Sequence, residues 1–453
     1  MLTLGVGIFW GCTAAESTSN ESGGAAPTWH GNVAPIVARS CSACHVPAGV
    51  APFALDTYAS ACPMATAMAL AVQAGTMPPW AAAPTEQCTP TLPWKGDLRL
   101  SDEDKQVFID WAEAGAPEGD AATASELPTA PSTTLEGANQ SLRPSVAYEV
   151  TPGDDQFMCF TLDPGLTGTR WLTGVQTDPG VDAVVHHATL FGDAEGLSSA
   201  LAGEDGVYTC AAGLGGAGAG IDGAPIVGVW APGYGPQELP AGSGIELTAG
   251  SRIVMQVHYH PVGDAVVLDQ TLVHLRWIDD EPELLARFAL MGNAIDEASG
   301  LLAGPNDVDT VEFRIPANAG SHTEESLIPV TRADVDFGIF IAATHMHYVG
   351  TDMVIWLERA SPERAQATTE CLVQTPVWDF DWQRVYTYEA DVADLPRLKT
   401  GDSLRMRCTY DNTAANADLQ RARSDAGVTE IDDVYLGDGS LDEMCLGVFG
   451  LVD

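Results

Sequence analysis

The sequence is poor in positive charge. Twenty Lys and Arg stand against 62 Asp and Glu over 453 residues, a formal net charge of −42. A surface of that sign repels phosphate backbones and anionic lipid, so nucleic acid is excluded as a partner. Long apolar runs are also missing: the stretch Leu2 to Trp10 is too short to span a bilayer, and no basic region precedes it. No internal repeat stands out. The glycine run Gly213-Leu-Gly215-Gly-Ala-Gly218 has the spacing of a dinucleotide fingerprint. It lacks the strand before and the helix after that such a site needs, and it reads as a loop. Against these absences, an apolar share of 45% with eleven tryptophans excludes wholesale disorder, and the length predicts two or three domains.

The run Leu2 to Trp10 ends at Gly11-Cys12 and gives way to the polar stretch Thr13 to Gly24. It resembles the tail of a bacterial export signal, with Cys12 where a lipoprotein cysteine is lipidated; Phe9 and Trp10 depart from the usual residues before such a cysteine. Residues 1–27 are thus expected to be a signal and polar tether. The expected location is the bacterial periplasm or cell envelope, with a lipid anchor at Cys12 as the only membrane contact. Ten cysteines fit an oxidising compartment.

Residues 28–120 read as a small helical domain. Ser101-Asp-Glu-Asp104 is a capping box, Phe108, Trp111 and Ala112 recur at helical spacing, and Gly115-Ala-Pro stops the helix. Residues 55–74, rich in alanine, are a second helical candidate. A Thr/Ser/Ala/Pro-rich linker occupies 121–143. From about Ser145 the pattern becomes short β-type runs between Gly and Pro, such as Ile253-Val-Met-Gln-Val-His-Tyr259 and Phe337-Gly-Ile-Phe-Ile-Ala342. These predict antiparallel sandwiches, and some 300 residues predict two of them, 144–290 and 291–453.

Within the helical region, Cys41-Ser-Ala-Cys44-His45 is the C-x-x-C-H pattern of covalent c-type haem. Cys41 and Cys44 would carry the thioether bonds and His45 the proximal ligand. Met77, in Gly75-Thr-Met77-Pro-Pro-Trp80, is the candidate sixth ligand, while Met64 and Met68 read as helix packing residues. A zinc site is disfavoured because no second Cys/His pair follows at suitable spacing. The segment resembles a small bacterial cytochrome c domain over Val33-Ala-Pro-Ile-Val37, the C-x-x-C-H, Met77-Pro-Pro-Trp80, Leu100-Ser101 and Trp111-Ala-Glu-Ala-Gly-Ala-Pro117. Cys62 and Cys88 bracket Met77 and are candidates for a disulfide, a departure from the simplest members.

Six of the ten histidines fall in three clusters, His186-His187, His258-Tyr-His260 and His345-Met-His347, and Met444 in Asp442-Glu-Met-Cys445 belongs with them. A thioether beside imidazoles points to a metal that tolerates soft donors, above all copper. On a strand, residues i and i+2 share a face, so His345 with His347, and His258 with His260, can each reach one ion. Adjacent His186 and His187 need a strand end, a bulge or a ring rotation to do the same. His30, His274 and His322 stand alone and read as structural.

Residues 145–453 resemble the copper type II, ascorbate-dependent monooxygenases, the family of peptidylglycine α-hydroxylating monooxygenase and dopamine β-monooxygenase. The carrying motifs are Val185-His186-His187-Ala-Thr-Leu-Phe191, Trp230-Ala-Pro with Leu239-Pro240, Gln256-Val-His258-Tyr259, Thr344-His345-Met-His347, Leu404-Arg-Met-Arg-Cys408 and Asp442-Glu443-Met444-Cys445. The resemblance implies two jelly-roll sandwiches and two copper ions. His186, His187 and His258 would hold an electron-storing copper; His345, His347 and Met444 would hold the copper that meets O2. His260 has no ligand role in the family. Cys159 with Cys210, and Cys408 with Cys445, match family disulfides, which leaves Cys371 as an odd, buried thiol. The implied activity turns an aliphatic C–H of a small organic substrate into C–OH with O2.

Two departures bear on substrate and donor. Peptide-amidating members hold the substrate carboxylate with an arginine two residues before His-x-His, and with an asparagine and a tyrosine just after Glu-Met-Cys. This chain has Ala343, Leu446 and Val448 there, so the expectation is a smaller, less polar substrate than a glycine-extended peptide. The haem segment on the same polypeptide would raise the local concentration of an electron donor. It would then stand in for ascorbate, the external alternatives being ascorbate itself or another cytochrome. A second reading makes the chain a non-catalytic copper and haem electron-transfer protein. A zinc hydrolase, the third, gives haem no role.

Overall fold

The computed structural model describes residues 25–47, 51–124, 127, 134–211, 216, 218–362 and 367–453. Cys12 and nearly all of the expected signal and tether lie outside the described residues, as do most of the glycine run at 213–218 and most of 125–133 in the expected linker. Two units divide the chain. One comprises Met1–Trp80 with Gly96–Thr133, the other Ala81–Lys95 with Thr134–Asp453.

The first unit is helical. Ser101 caps the helix Asp102–Glu113, its hydroxyl accepting from the Asp104 N–H at 3.1 Å. Phe108 and Trp111 are fully buried on the inner face of this helix, worth about 1.5–3 kcal/mol each. Trp111 donates its ring N–H to Pro117 O at 3.0 Å and lies 6.0 Å from Trp29. Gly115 leaves the helix at φ +83°, a conformation that favours glycine. The alanine-rich candidate at 55–74 forms short turns at Tyr58–Ala61 and Cys62–Met64, then the helix Ala65–Ala74. Met68 is buried in the core and Met64 packs at its edge.

The second unit is built mostly of antiparallel β-sheet. Arg252–Tyr259 sits at the centre of a five-stranded sheet, between Gln156–Leu162 and Val185–Asp193. A four-stranded sheet pairs Ser403–Tyr410 with His322–Pro329 on one side and Gly350–Glu358 on the other. Alternate residues of Ser403–Tyr410 are buried, the pattern of a strand with one face inward. In Leu446–Val452 every residue is buried, and its sequence is a continuous apolar run with two glycines.

Leu446–Val452 lies inside a ten-stranded sheet that serves both halves of the unit. One short parallel pairing, Ser243 with Leu284 and Gly244 with Leu285, joins the strands of one half to those of the other. The expected boundary between 290 and 291 therefore falls inside a strand, Leu284–Gly292, which pairs along its length with Leu446–Val452. Strand continuity connects the halves.

Residues 81–95 also differ from expectation: assigned above to the helical domain, they belong to the β unit. Ala83 N–H donates to Gln374 O at 3.1 Å, Lys95 N–H to Thr387 O at 2.8 Å, and Trp94 stacks on Tyr388 at 4.6 Å. Cys88 is disulfide-bonded to Cys371, across 283 residues of sequence. The expected Cys62–Cys88 bridge is thus incorrect, and so is Cys371 as an odd thiol. Cys62 is itself disulfide-bonded, though not to Cys88. Cys159–Cys210 and Cys408–Cys445 are bridged as expected.

Candidate metal centres

The strand Val185–Asp193 pairs with Arg252–Tyr259 in the register His258 to His187, then slips so that Tyr259 faces Val185. His186 is the extra residue of this bulge. The slip turns two adjacent histidines toward the same side, where a regular strand would point them apart. Their rings and that of His258 stand 4.8–5.4 Å apart, and one nitrogen of each lies within 4.8 Å of the others. The Nδ1 atoms of His186 and His187 are 3.1 Å apart, the spacing of two nitrogens each about 2.0 Å from one ion.

Asp155 sets the third imidazole. Its carboxylate contacts His258 Nε2 and His260 Nδ1, both at 2.8 Å. His258 Nδ1 is buried and has no hydrogen-bond partner among the described residues, the state of a nitrogen whose lone pair is kept for a metal. Burial favours the neutral carboxylic acid of Asp155, but the two histidine hydrogen bonds outweigh it and hold its pKa well below the usual carboxylate range. His260 is therefore a partner of Asp155, and that hydrogen bond raises its own pKa.

The second cluster lies where the strand Asp336–His345 ends. His345 pairs with Leu446, the first residue of the neighbouring strand, so Met444 falls just beyond the same edge. The rings of His345 and His347 are 5.3 Å apart, and both histidines and Met444 are buried. His345 Nδ1 contacts Gln383 Oε1 at 2.8 Å, and His347 Nδ1 contacts Asp442 O at 3.2 Å. Both contacts leave Nε2 as the nitrogen available to a ligand.

Met444 is held from several directions. Its carbonyl accepts from the Tyr410 hydroxyl at 2.9 Å, and the Cys408–Cys445 bridge fixes the next residue. Glu443, fully buried, accepts from the backbone N–H groups of Met444 at 2.7 Å and of His347, tying the two ligand segments together. Gly292 has φ +131°, and a Cβ there would collide with Cys445 O.

Burial lowers the pKa of His186 and His345 to about 3 each, and that of His187 and His347 below the ordinary value. All four are neutral imidazoles at pH 7, the form that binds metal. One cleft of ≈ 370 Å³ is lined by His187 and His258 together with His345, His347 and Met444. Phe380 stands between the clusters, stacked on His186 at 5.3 Å and edge-on to His347 at 5.7 Å. Beside His345 opens a second, mostly apolar pocket of ≈ 70 Å³, lined by Ala343 and Val448 among others.

In the helical unit, Cys41 and Cys44 are half-buried and not joined by a disulfide. Burial, reinforced by Cys44, pushes the Cys41 thiol up to about 12, unlike the lowered value of a reactive dithiol. His45 Nδ1 contacts Phe53 O at 3.0 Å, which leaves Nε2 for a ligand. Met77 follows the helix Ala65–Ala74, its N–H donating to Ala71 O at 3.4 Å.

Asp155, Gln383 and Phe380 were not found in the sequence, and Glu443 was there only as a letter of a motif. Asp155 is 103 positions from His258, with no spacing rule to connect them. Among the described residues, no helix is long and apolar enough to cross a membrane.

No protein-family model matches the chain, and no curated protein matches it. Among solved structures, the chain is similar to one from the naturally occurring empty particles of Cowpea mosaic virus top component. The identity is 10%, over 74% of this chain and 95% of that one, with a TM-score of 0.25. It is also similar to the infectious bursal disease virus VP2 subviral particle, at 12% identity over 72% of this chain and 73% of that one, with a TM-score of 0.15. Scores this low carry no argument about function.

Proposed function

We propose that the chain is a copper-dependent monooxygenase that hydroxylates an aliphatic C–H of a small organic substrate with O2, with electrons delivered through a covalently bound c-type haem. The observation that carries the reading is the pair of donor sets, a cluster of three imidazoles and a cluster of two imidazoles with a thioether, with His187, His258, His345, His347 and Met444 lining one cleft. The family motifs quoted above supply the same assignment, and with it the jelly-roll and cytochrome c-like folds, the exported location and the small-molecule substrate.

The donor chemistry fits copper. Neutral nitrogen ligands accept either oxidation state, and a thioether favours Cu(I). When bound, two copper ions would supply the two electrons and the O2 activation that C–H hydroxylation requires. The chain's own part is positional. Asp155 orients His258 through Nε2 and leaves Nδ1 without a hydrogen-bond partner among the described residues, while Gln383 and the Asp442 carbonyl orient His345 and His347. Glu443 and the Cys408–Cys445 bridge keep Met444 at the edge shared with those histidines. Ala343 and Val448 line an apolar pocket beside His345 in which a substrate C–H can lie. In the helical unit Cys41 and Cys44 would hold haem covalently, with His45 and Met77 as axial ligands and one-electron transfer as its contribution.

The test is O2 consumption by the copper- and haem-loaded protein with a panel of small organic substrates and a reductant. Substrate-dependent uptake, with one atom of 18O2 in the hydroxylated product, is the expected result. Copper that cycles with the reductant but never yields oxygenated product would instead identify an electron-transfer protein.

A further inference from the structure

The strand His322–Pro329 is at the edge of its sheet, paired with Ser403–Tyr410 alone. Residues 300–302 run along the open edge: Leu302 N–H donates to Glu325 O and Leu327 N–H to Gly300 O, both at 2.8 Å. The loop that follows, Gly304-Pro-Asn306-Asp307, reaches back to the start of the strand. There the chain buries an acid that belongs to neither candidate copper site. Glu324 is 2% exposed. Its Oε1 accepts from His322 Nε2 at 2.7 Å and from the Arg314 backbone N–H at 3.4 Å. Its Oε2 is buried with no hydrogen-bond partner among the described residues.

Two neighbours that could balance this carboxylate are committed elsewhere. Asn306 Nδ2 donates to His322 Nδ1 at 2.9 Å, so Nε2 carries the ring proton and the imidazole is neutral. The Arg314 guanidinium pairs with Glu312 at 2.8 Å and with Asp433 at 3.1 Å. A buried carboxylate oxygen without a donor is costly. The space beside it is at Gly304. Apart from the chain neighbours, the three atoms nearest to where a Gly304 Cβ would stand are all oxygens: Glu324 Oε2 at 3.4 Å, Asp307 Oδ2 at 3.6 Å and Thr323 O at 3.8 Å. Asp307 Oδ2 also accepts the Gly304 N–H at 2.8 Å, which fixes the loop around the gap. Gly304, Asp307 and Thr323 are half-buried, so the gap has an approach from solvent.

We propose that this gap is a calcium site, with Glu324 Oε2, the Asp307 carboxylate and the Thr323 carbonyl as its protein ligands and water completing the shell. Two carboxylates and a carbonyl are an oxygen-only set, which selects a hard cation. Irregular, partly hydrated coordination suits calcium better than magnesium, which demands a near-ideal octahedron. The ion would offset the charge of the buried carboxylate and hold the loop to the strand. His322 and Glu324 pair across the sheet with Tyr410 and Cys408, whose hydroxyl and disulfide hold the Met444 carbonyl and Cys445. The site would thus brace the strand that secures Met444. It goes beyond the monooxygenase reading and does not depend on it.

The test uses the full-length protein, freed of divalent ions with EGTA and held in about 0.15 M KCl to screen its net charge of −42. It is titrated by calorimetry with calcium and, separately, with magnesium. One saturable calcium site per chain is expected, with a Kd on the order of 10⁻⁴ to 10⁻³ M and at least about tenfold tighter than for magnesium. Glu324→Gln and Asp307→Asn should each weaken calcium by at least about tenfold. Gly304 lies outside the left-handed region, so Gly304→Ala is unstrained, and its methyl would fill the gap at ordinary contact distance from the three oxygens. That variant should lose the site with every ligand still in place. No saturable calcium site, calcium no tighter than magnesium, or wild-type affinity in Gly304→Ala would each overturn the proposal and leave a histidinium–carboxylate pair as the balance of charge. Should Glu324→Gln fail to fold, Asp307→Asn and Gly304→Ala decide it.

Discussion

Replacing Asp155 by Asn tests the organisation of the three-histidine centre at one atom. The carboxylate accepts from both His258 Nε2 and His260 Nδ1 at 2.8 Å. An asparagine keeps one oxygen and presents an NH2 in place of the other. One of the two histidines then faces a donor where it had an acceptor. If that histidine is His258, its proton moves to Nδ1, the nitrogen now buried without a hydrogen-bond partner among the described residues. Metal binding would have to reverse that tautomer. Loss of such an orienting hydrogen bond lowers metal affinity by about 10–100-fold, or ~1.4–2.7 kcal/mol. The assay is competition for Cu(I) against a chromophoric chelator at pH 7, resolving the two sites. Asp155→Asn should weaken one site by that amount and leave the methionine-containing site unchanged. His260→Ala should have little effect, because Asp155 still holds His258. If Asp155→Asn binds two coppers with affinities within twofold of wild type, the carboxylate does not orient His258 and the reasoning fails.

Four further outcomes are expected. The unfolded chain protonates its histidines near 6.5, whereas the folded chain keeps His186 and His345 neutral down to about 3. Their contribution to stability is therefore complete above pH 6.5 and is lost as pH falls toward 3; urea midpoints of the copper-free protein should fall over that window, with a shallower slope in His345→Gln. For the same reason, copper binding at pH 7 should release close to no protons from these ligands, which calorimetry in buffers of different ionisation enthalpy would measure. Glu443→Ala strands two buried backbone N–H groups and should cost ~2–4 kcal/mol in chemical denaturation, while Glu443→Gln, which can still accept both, should cost much less. Non-reducing peptide mapping should recover Cys88 joined to Cys371, and Cys88→Ser with Cys371→Ser should lower stability by up to ~5 kcal/mol, the loop-entropy value for so long a closure.

Parts of this site were legible because they follow from local rules. The parity of His345 and His347 puts them at one strand end, and the capping box before Asp102 starts a helix whose buried residues are Phe108 and Trp111. His186 and His187 were legible only as a problem: adjacent residues need a bulge to act together, and the register slip opposite His258 supplies it. Asp155 was not legible, since a carboxylate far along the chain meets His258 only through strand pairing. The cysteines failed for a related reason. Spacing says nothing of pairing, and residues 81–95 have no strand pattern to reveal that they join the β unit through single backbone bonds and the Trp94–Tyr388 stack. The parallel pairing of Ser243 with Leu284, which makes one sheet of two halves, likewise has no sequence signal.

The central claim is that the two donor sets hold two unlike copper ions. X-ray absorption of the copper-loaded, Cu(I) protein, with the metal content of the same sample, tests it most directly. The account predicts two coppers per chain, nitrogen scattering at both, and a sulfur shell at half occupancy per copper that Met444→Leu removes. A single copper, zinc in its place, or a sulfur shell that survives Met444→Leu would contradict it.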